Sequence, residues 1–294
     1  METKDFLFFN YSWVKNSTLI FEKFKEKGHT IDIVDEKTIS SFIPKYKYKN
    51  VVLYLHEPWT IPLTNRLLDN ELSDSFLIQH DDTDFEQIQK WSNREPDLFM
   101  QRELTNDTII NTKSPVYPFH FPIESIYDKK FQTKDIDISF IGTLTNYRRI
   151  PFINHIKHLS ENSLSHLNWY IDVKPVDTRT PEIFREKTNR SKISLHYFGN
   201  SYDSIRIWEI LSSNTALVMP KMRNLSVSKN HMEFNEYITI KDDFSDLEEK
   251  INYLLHNDNY MKIAKEGFDS YNNFHTPDKC FEYYYNQVIK HCKS

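Results

Sequence analysis

Short β-rich apolar runs alternate with helical stretches along most of this 294-residue chain, and that alternation confines it to layered α/β folds. In the first half, strands are expected at Phe6–Phe9, Thr30–Val34, Asn50–His56, Ser75–Gln79 and Asp97–Gln101. Helical segments fall near Asn16–Lys27, Pro62–Asn70 and Asp84–Trp91. The run VVLYLH is apolar at consecutive positions, as a strand covered on both faces of a parallel sheet must be. Gly28, between helix and strand, suits a helix C-cap with positive φ.

Residues 108–135 break the rhythm with Pro115, Pro118 and Pro122, and a domain boundary is placed there. A second series of strands follows at Asp137–Gly142, Asn168–Val173, Lys192–Phe198, Ala216–Met219 and Tyr237–Ile240. Its helices are expected near Asn146–Leu159, Pro181–Lys187 and Ser204–Ser213, and then to the end of the chain. Ser245 and Glu248 read as a capping box before a stripe of Leu247, Ile251, Leu254 and Leu255. Thr276-Pro277 reads as the cap and first residue of the last helix.

Composition then removes whole classes of function. Four glycines, no two of them close together, leave no glycine-rich phosphate loop and no dinucleotide fingerprint. Two cysteines, Cys280 and Cys292, cannot make a zinc cluster or a disulfide framework. Thirty-seven basic residues against 42 acidic ones give a net charge of -5, which disfavours nucleic acid as a partner. With no run of about 20 apolar residues and no signal-peptide pattern, a cytoplasmic protein without a membrane span is expected.

Ligands of open α/β sheets sit beyond the carboxyl ends of the strands. With Thr145 as a cap, Arg148 and Arg149 fall in a first helical turn, and with Asp203 as a cap so does Arg206. The helix dipole disfavours cations there unless an anion is bound, and two such ends suggest a diphosphate. Solvent, or a carboxylate such as Asp203 or Glu209, would satisfy the same arginines without a ligand. Glu209 lies three residues after Arg206 on the same helix face and could take a ribose diol or simply pair with Arg206. Asn214 is expected in the left-handed region.

In the first half, His80, Asp81, Asp82 and Asp84 follow a strand end, where a carboxylate or a His–Asp pair could act as general base; an Asp-rich helix cap is the plainer reading. His56-Glu57 is a second candidate base, and His196 reads as a satisfied core histidine. Trp13, Trp59, Tyr11, Phe119 and Phe121 could stack on sugar rings, although aromatics at this density are mostly core.

The segments DIDISFIGTLTNYRR, SKISLHYFGNSYDSIRIWEILSSNTALVMP and NEYITIKDDFSDLEEKINYLLHNDNYMKIAKEG resemble the nucleotide-sugar half of GT-B glycosyltransferases, most of all the CgeB and YkvP group. The resemblance covers about residues 130–270. It implies two Rossmann-like, doubly wound α/β domains facing across a cleft: an acceptor domain over 1–128, a donor domain over 129–275, and a helix over 276–294 crossing back to the first. It implies transfer of a sugar from a UDP-type nucleotide sugar to a glycan, lipid-linked or protein acceptor, with no cofactor and no metal. The donor would be held by Gly142, Thr143, Arg148, Arg149, Tyr202, Arg206, Glu209, Asn214 and Thr215, with His80, Asp81 and Arg206 as catalytic groups. Three departures stand out: Asn214 replaces a glycine, Ala216 a proline, and Ser201 the first of the paired glutamates of retaining members. The resemblance therefore does not fix the stereochemistry, and Tyr202 or Asp203 would have to do some of the work of the missing glutamate. A catalytically silent binding or assembly protein, or a nucleotide-sugar hydrolase or epimerase of the same fold, are the alternatives.

Overall fold

The structure, a computed structural model, describes residues 2–10, 16–54, 61–81, 91–102, 104–105, 111–119, 122–131, 133–144, 147–175, 180–199, 202, 204–222 and 236–292. The chain divides into two compact units, Met1–Pro122 with Cys280–Ser294, and Ile123–Lys279.

The first unit is built on six strands: β1 (Thr3–Asn10), β2 (Ile31–Asp35), β3 (Lys47–Tyr54), β4 (Phe76–Asp81), β5 (Leu98–Gln101) and β6 (Val116–Pro118). They pair in parallel in the order β2-β1-β3-β4-β5-β6, with α1 (Asn16–Glu26) and α2 (Ile61–Asp69) between strands. The strand alternation sends Phe6 and Phe8 to one face and Leu7 and Phe9 to the other, and all four are buried. The first face packs on Phe21 and Phe24 of α1 and on Phe281, Tyr284 and Val288, which share one side of α8 (Pro277–His291). Gly28 has φ +88°; its N–H bonds to Lys25 O and that of His29 to Phe24 O, the paired bonds that close a helix C-terminus.

The second unit has five parallel strands, β7 (Ile136–Thr143), β8 (Trp169–Lys174), β9 (Ser191–Leu195), β10 (Ala216–Pro220) and β11 (Ile238–Ile240), in the order β11-β10-β9-β7-β8. Between and after them lie α3 (Arg149–Glu161), α4 (Pro181–Asn189), α5 (Ile205–Ser212), α6 (Leu247–Leu255) and α7 (Asn259–Ser270). One face of the sheet, with Ile138, Phe140, Ile193, Leu195 and Val218, packs on Phe152 and Ile156 of α3 and on the expected Leu247, Ile251 and Leu254 of α6. The chain turns to β8 on one side of β7 and to β9 and β10 on the other, so the topological switch lies between β7 and β9.

Four local expectations are corrected. Strand β6 lies within the proline-rich stretch read as a break; it is short and occupies a sheet edge, where proline is tolerated. Helix α3 begins at Arg149, with Arg148 as its cap residue, rather than near Asn146. Pro151 explains the later start, since proline is accommodated only in a first turn. The cap of α5 is Ser204, whose hydroxyl accepts from Arg206 N, in place of Asp203. Asp246, not Ser245, is the cap residue of α6, and its carboxylate turns back to accept from Lys241 N.

Candidate functional site

Arg149 spans the switch point. Its Nη1 donates to the carbonyl and hydroxyl oxygens of Thr143 at the end of β7, each at 3.3 Å. Its Nε donates to Tyr197 O and Phe198 O, each 3.2 Å away, just beyond β9. The side chain is buried, so this guanidinium answers the partial negative charge of carbonyls that end two adjacent strands. A Cβ on Gly199 would stand 2.9 Å from Arg149 Nη2, so the guanidinium would have to shift to admit one. Arg148, by contrast, is exposed. Gly142 is buried at the end of β7, where an added Cβ would meet the Phe140 ring at 3.0 Å.

The opposite face of the sheet carries the second group. Arg206 Nη1 donates to Glu209 Oε2 at 2.7 Å, and its guanidinium carbon lies 3.9 Å from the centre of the Phe184 ring on α4. The pair is partly exposed, 28% for Arg206 and 16% for Glu209. Stacking and ion pairing thus fix the guanidinium close to the start of α5, where the helix amides add positive potential. Tyr202 meets Phe198 edge to face, with ring centres 5.0 Å apart.

His196 follows β9 directly. Ser194, two residues earlier, bonds to Ser139, and Phe198, two residues later, touches the His196 ring, so the three share one face. Burial pushes the His196 imidazole down to about 3, and the charges of Arg149 and Arg206 act in the same direction. It is therefore neutral at any working pH. Its Nε2 is buried and has no hydrogen-bond partner among the described residues, which corrects its reading as a satisfied core histidine. The sequence signal was its place beside the strand end; the lack of a partner is visible only in three dimensions.

Other expected site residues lie elsewhere. Asn214 adopts φ +54°, as its type suggested, but it and Thr215 follow the end of α5 and precede β10. That is the amino-terminal edge of the sheet, about 12 Å along the helix from Arg206 at 1.5 Å per residue. Thr215 is committed there: its hydroxyl donates to Thr188 O and accepts from Lys134 Nζ. Burial pushes Lys134 down to about 8.

In the first unit, His80 and Asp81 belong to β4 itself, not to a loop after it, and both are fully buried. His80 stacks on Tyr54 with ring centres 4.0 Å apart and meets Phe119 at 4.7 Å and Tyr284 at 5.4 Å. Phe119 is accordingly core. Asp81 Oδ2 accepts from Trp91 Nε1 at 3.4 Å. His56, Glu57, Asp82, Asp84, Thr145, Ser201, Asp203, Tyr11, Trp13, Trp59 and Phe121 lie outside the described residues. Among the described residues no cluster of three His, Cys, Asp or Glu could hold a metal ion, and no helix is long and apolar enough to cross a membrane.

Solved structures share this architecture over their whole length. An alpha-glucosyltransferase in complex with UDP-glucose and DNA containing an abasic site superposes with a TM-score of 0.59 at 12% identity, covering 98% of this chain and 100% of that one. An alpha-glucosyltransferase with UDP and a 13-mer DNA containing an HMU base gives 0.58 at 12% identity, with 97% and 99% covered. HepE of Anabaena in complex with UDP gives 0.55 at 9% identity, with 97% and 100% covered. At such identities the likeness is one of fold, and the fold is GT-B: two Rossmann-like α/β units, each with a wholly parallel sheet. No family model matches the sequence, and no curated protein matches it.

Proposed function

We propose that the chain is a glycosyltransferase that moves a sugar from a UDP-type nucleotide sugar to an acceptor hydroxyl. The observation that carries this reading is the gathering of Arg149, Arg206 and Glu209 at the carboxyl edge of the second sheet, at its switch point. The fold neighbours solved with UDP or UDP-glucose support it. The order of motifs that resembles the CgeB and YkvP group supports the same donor class.

In this reading the amide end of α5 and the Arg206 guanidinium hold the diphosphate and stabilise it as it departs, while Glu209 accepts from the ribose diol. Donor entry makes the Arg206–Glu209 pair share its charge with the ligand. Arg149 keeps the two strand ends in register beneath the diphosphate. Catalysis is then alignment of the acceptor oxygen with the anomeric carbon, together with leaving-group stabilisation. A glycan, lipid-linked or protein acceptor suits a net charge of -5 better than DNA does.

Calorimetric titration with UDP, GDP, dTDP, CDP and ADP, free and as sugar conjugates, tests the donor. Release of the nucleoside diphosphate in a panel of glycan, lipid-linked, protein and DNA acceptors tests the transfer. Arg206→Ala should weaken UDP binding at least about tenfold, the loss of a charge-assisted contact to phosphate. Unchanged affinity would sink the placement of the diphosphate. Tight UDP binding without release in any acceptor would favour a silent binding protein.

A further inference from the structure

His196 is 4% exposed, and its Nε2 faces no donor or acceptor among the described residues. A buried ring nitrogen without a partner weakens the protein, and an occupant that bonds to it recovers that cost. Its surroundings restrict what that occupant can be. The charges of Arg149 and Arg206 both reach the ring, yet Arg149 is spent on strand-end carbonyls and Arg206 on Glu209 and Phe184. Two cations beside a neutral imidazole favour an anionic oxygen and exclude a third cation.

We propose that His196 is a ligand-binding residue of the donor site, donating from Nε2–H to a phosphate oxygen of a nucleoside diphosphate. The inference rests on the nucleotide-sugar reading above and adds a third phosphate donor to it, one that carries no charge. Because the imidazole stays neutral, its proton sits on one nitrogen only, and the anion selects the tautomer with hydrogen on Nε2. The contact therefore adds direction rather than attraction at long range. It would distinguish a diphosphate seated on the strand end from an anion held loosely by two arginines.

The test is calorimetric titration of wild type, His196→Phe and His196→Gln with UDP, and separately with uridine, which has the base and ribose but no phosphate. His196→Phe should lose about tenfold or more in UDP affinity while its affinity for uridine stays within about twofold. His196→Gln, whose amide N–H can reach in the same direction, should recover most of the UDP affinity. In the absence of ligand, His196→Phe should melt about 2–4 °C higher, because the unpartnered nitrogen is gone. Equal losses for UDP and uridine, or unchanged UDP affinity in a folded His196→Phe, would overturn the proposal; a water bound at Nε2 predicts the latter. A wild-type protein that binds no nucleotide overturns the nucleotide-sugar reading itself, and so the two failures are distinguishable.

Discussion

The two units are built alike, each a parallel sheet with helices between its strands, but they treat the polar groups near their strand ends in opposite ways. At the end of β4, His80 is sealed among Tyr54, Phe119 and Tyr284, and Asp81 is buried against Trp91. At the ends of β7 and β9, Arg149 binds the strand-end carbonyls, Arg206 and Glu209 pair at partial exposure, and the His196 ring lies within reach of both guanidinium charges. The first arrangement spends its polar atoms on packing. The second assembles two cations, a carboxylate and a neutral donor on one edge. Sheet topology supplies the edge, and the side chains that cover it decide whether it can hold a ligand.

The largest effect expected from this contrast is at Arg149. Arg149→Met keeps an unbranched apolar stem but withdraws the donors of Thr143 O, Tyr197 O and Phe198 O, leaving one buried and two part-buried carbonyls unanswered. Unfolding free energy should fall by about 1–3 kcal/mol, the range for leaving a buried acceptor unsatisfied. Urea denaturation measures that loss, and UDP affinity should fall with it because the strand ends lose their register. If Arg149→Met is nearly as stable as wild type, the guanidinium is not the structural clamp described here, and its first-turn position must be explained by a bound anion.

His80 tests the other half of the contrast. His80→Leu retains the volume of the ring and removes both nitrogens, so its stability should stay within about 1.5 kcal/mol of wild type. UDP affinity and the rate of nucleotide release should be unchanged. Normal UDP binding with a collapsed turnover rate would restore His80 as an acceptor-side base and make the two strand ends functionally equivalent.

Most of the layering was legible because parallel strands buried on both faces leave continuous apolar runs, as in Phe6–Phe9 and Val51–Leu53. Strand β6 was hidden by its shortness and by Pro118, a residue that an edge position tolerates. The start of α3 was encoded at Pro151, whose first-turn requirement outranks the Thr145 cap signal. The site was legible in part. Spacing placed Arg206 and Glu209 together and left the pair or the ligand open; the two side chains form the pair. Arg149 was read as a cation in need of an anion because a one-dimensional pattern cannot see the carbonyls of two neighbouring strands. The same limit concealed the missing partner of His196. Asn214 and Thr215 lie at the other end of α5 from Arg206, and motif order along the chain does not say which end of a helix a residue joins.

The smallest effect lies at the amino-terminal edges of the sheets, where Asp5 and Arg190 differ in their balance of hydrogen bonding and ion pairing. In the first unit, Asp5 accepts from Thr30 N at 3.0 Å and from Thr30 Oγ1 at 2.9 Å and also pairs with Lys49 at 3.3 Å, and chiefly the backbone bond holds its carboxyl below the ordinary 3.8. In the second, Asp135 and Glu186 flank Arg190; Arg190 lowers Asp135, while Lys187 and then Arg190 lower Glu186. All three folded pKa values lie below their unfolded ones, so the stability they lend is complete above the unfolded values, 3.8 for Asp and 4.5 for Glu, and fades as pH falls through the folded ones. At pH 7 and low salt, Asp5→Ala should cost about 1 kcal/mol and Arg190→Ala less than about 1 kcal/mol, the scale of an exposed pair. Raising ionic strength to about 1 M shortens the screening length to about 3 Å and should erase the Arg190→Ala cost while removing only the Lys49 share of that of Asp5→Ala. Urea melts of the two variants at both salt concentrations, repeated at pH 3, read the difference. Equal salt sensitivity would mean that both edges are held by the same exposed ion pairing, and that the contrast between the units is confined to their carboxyl edges.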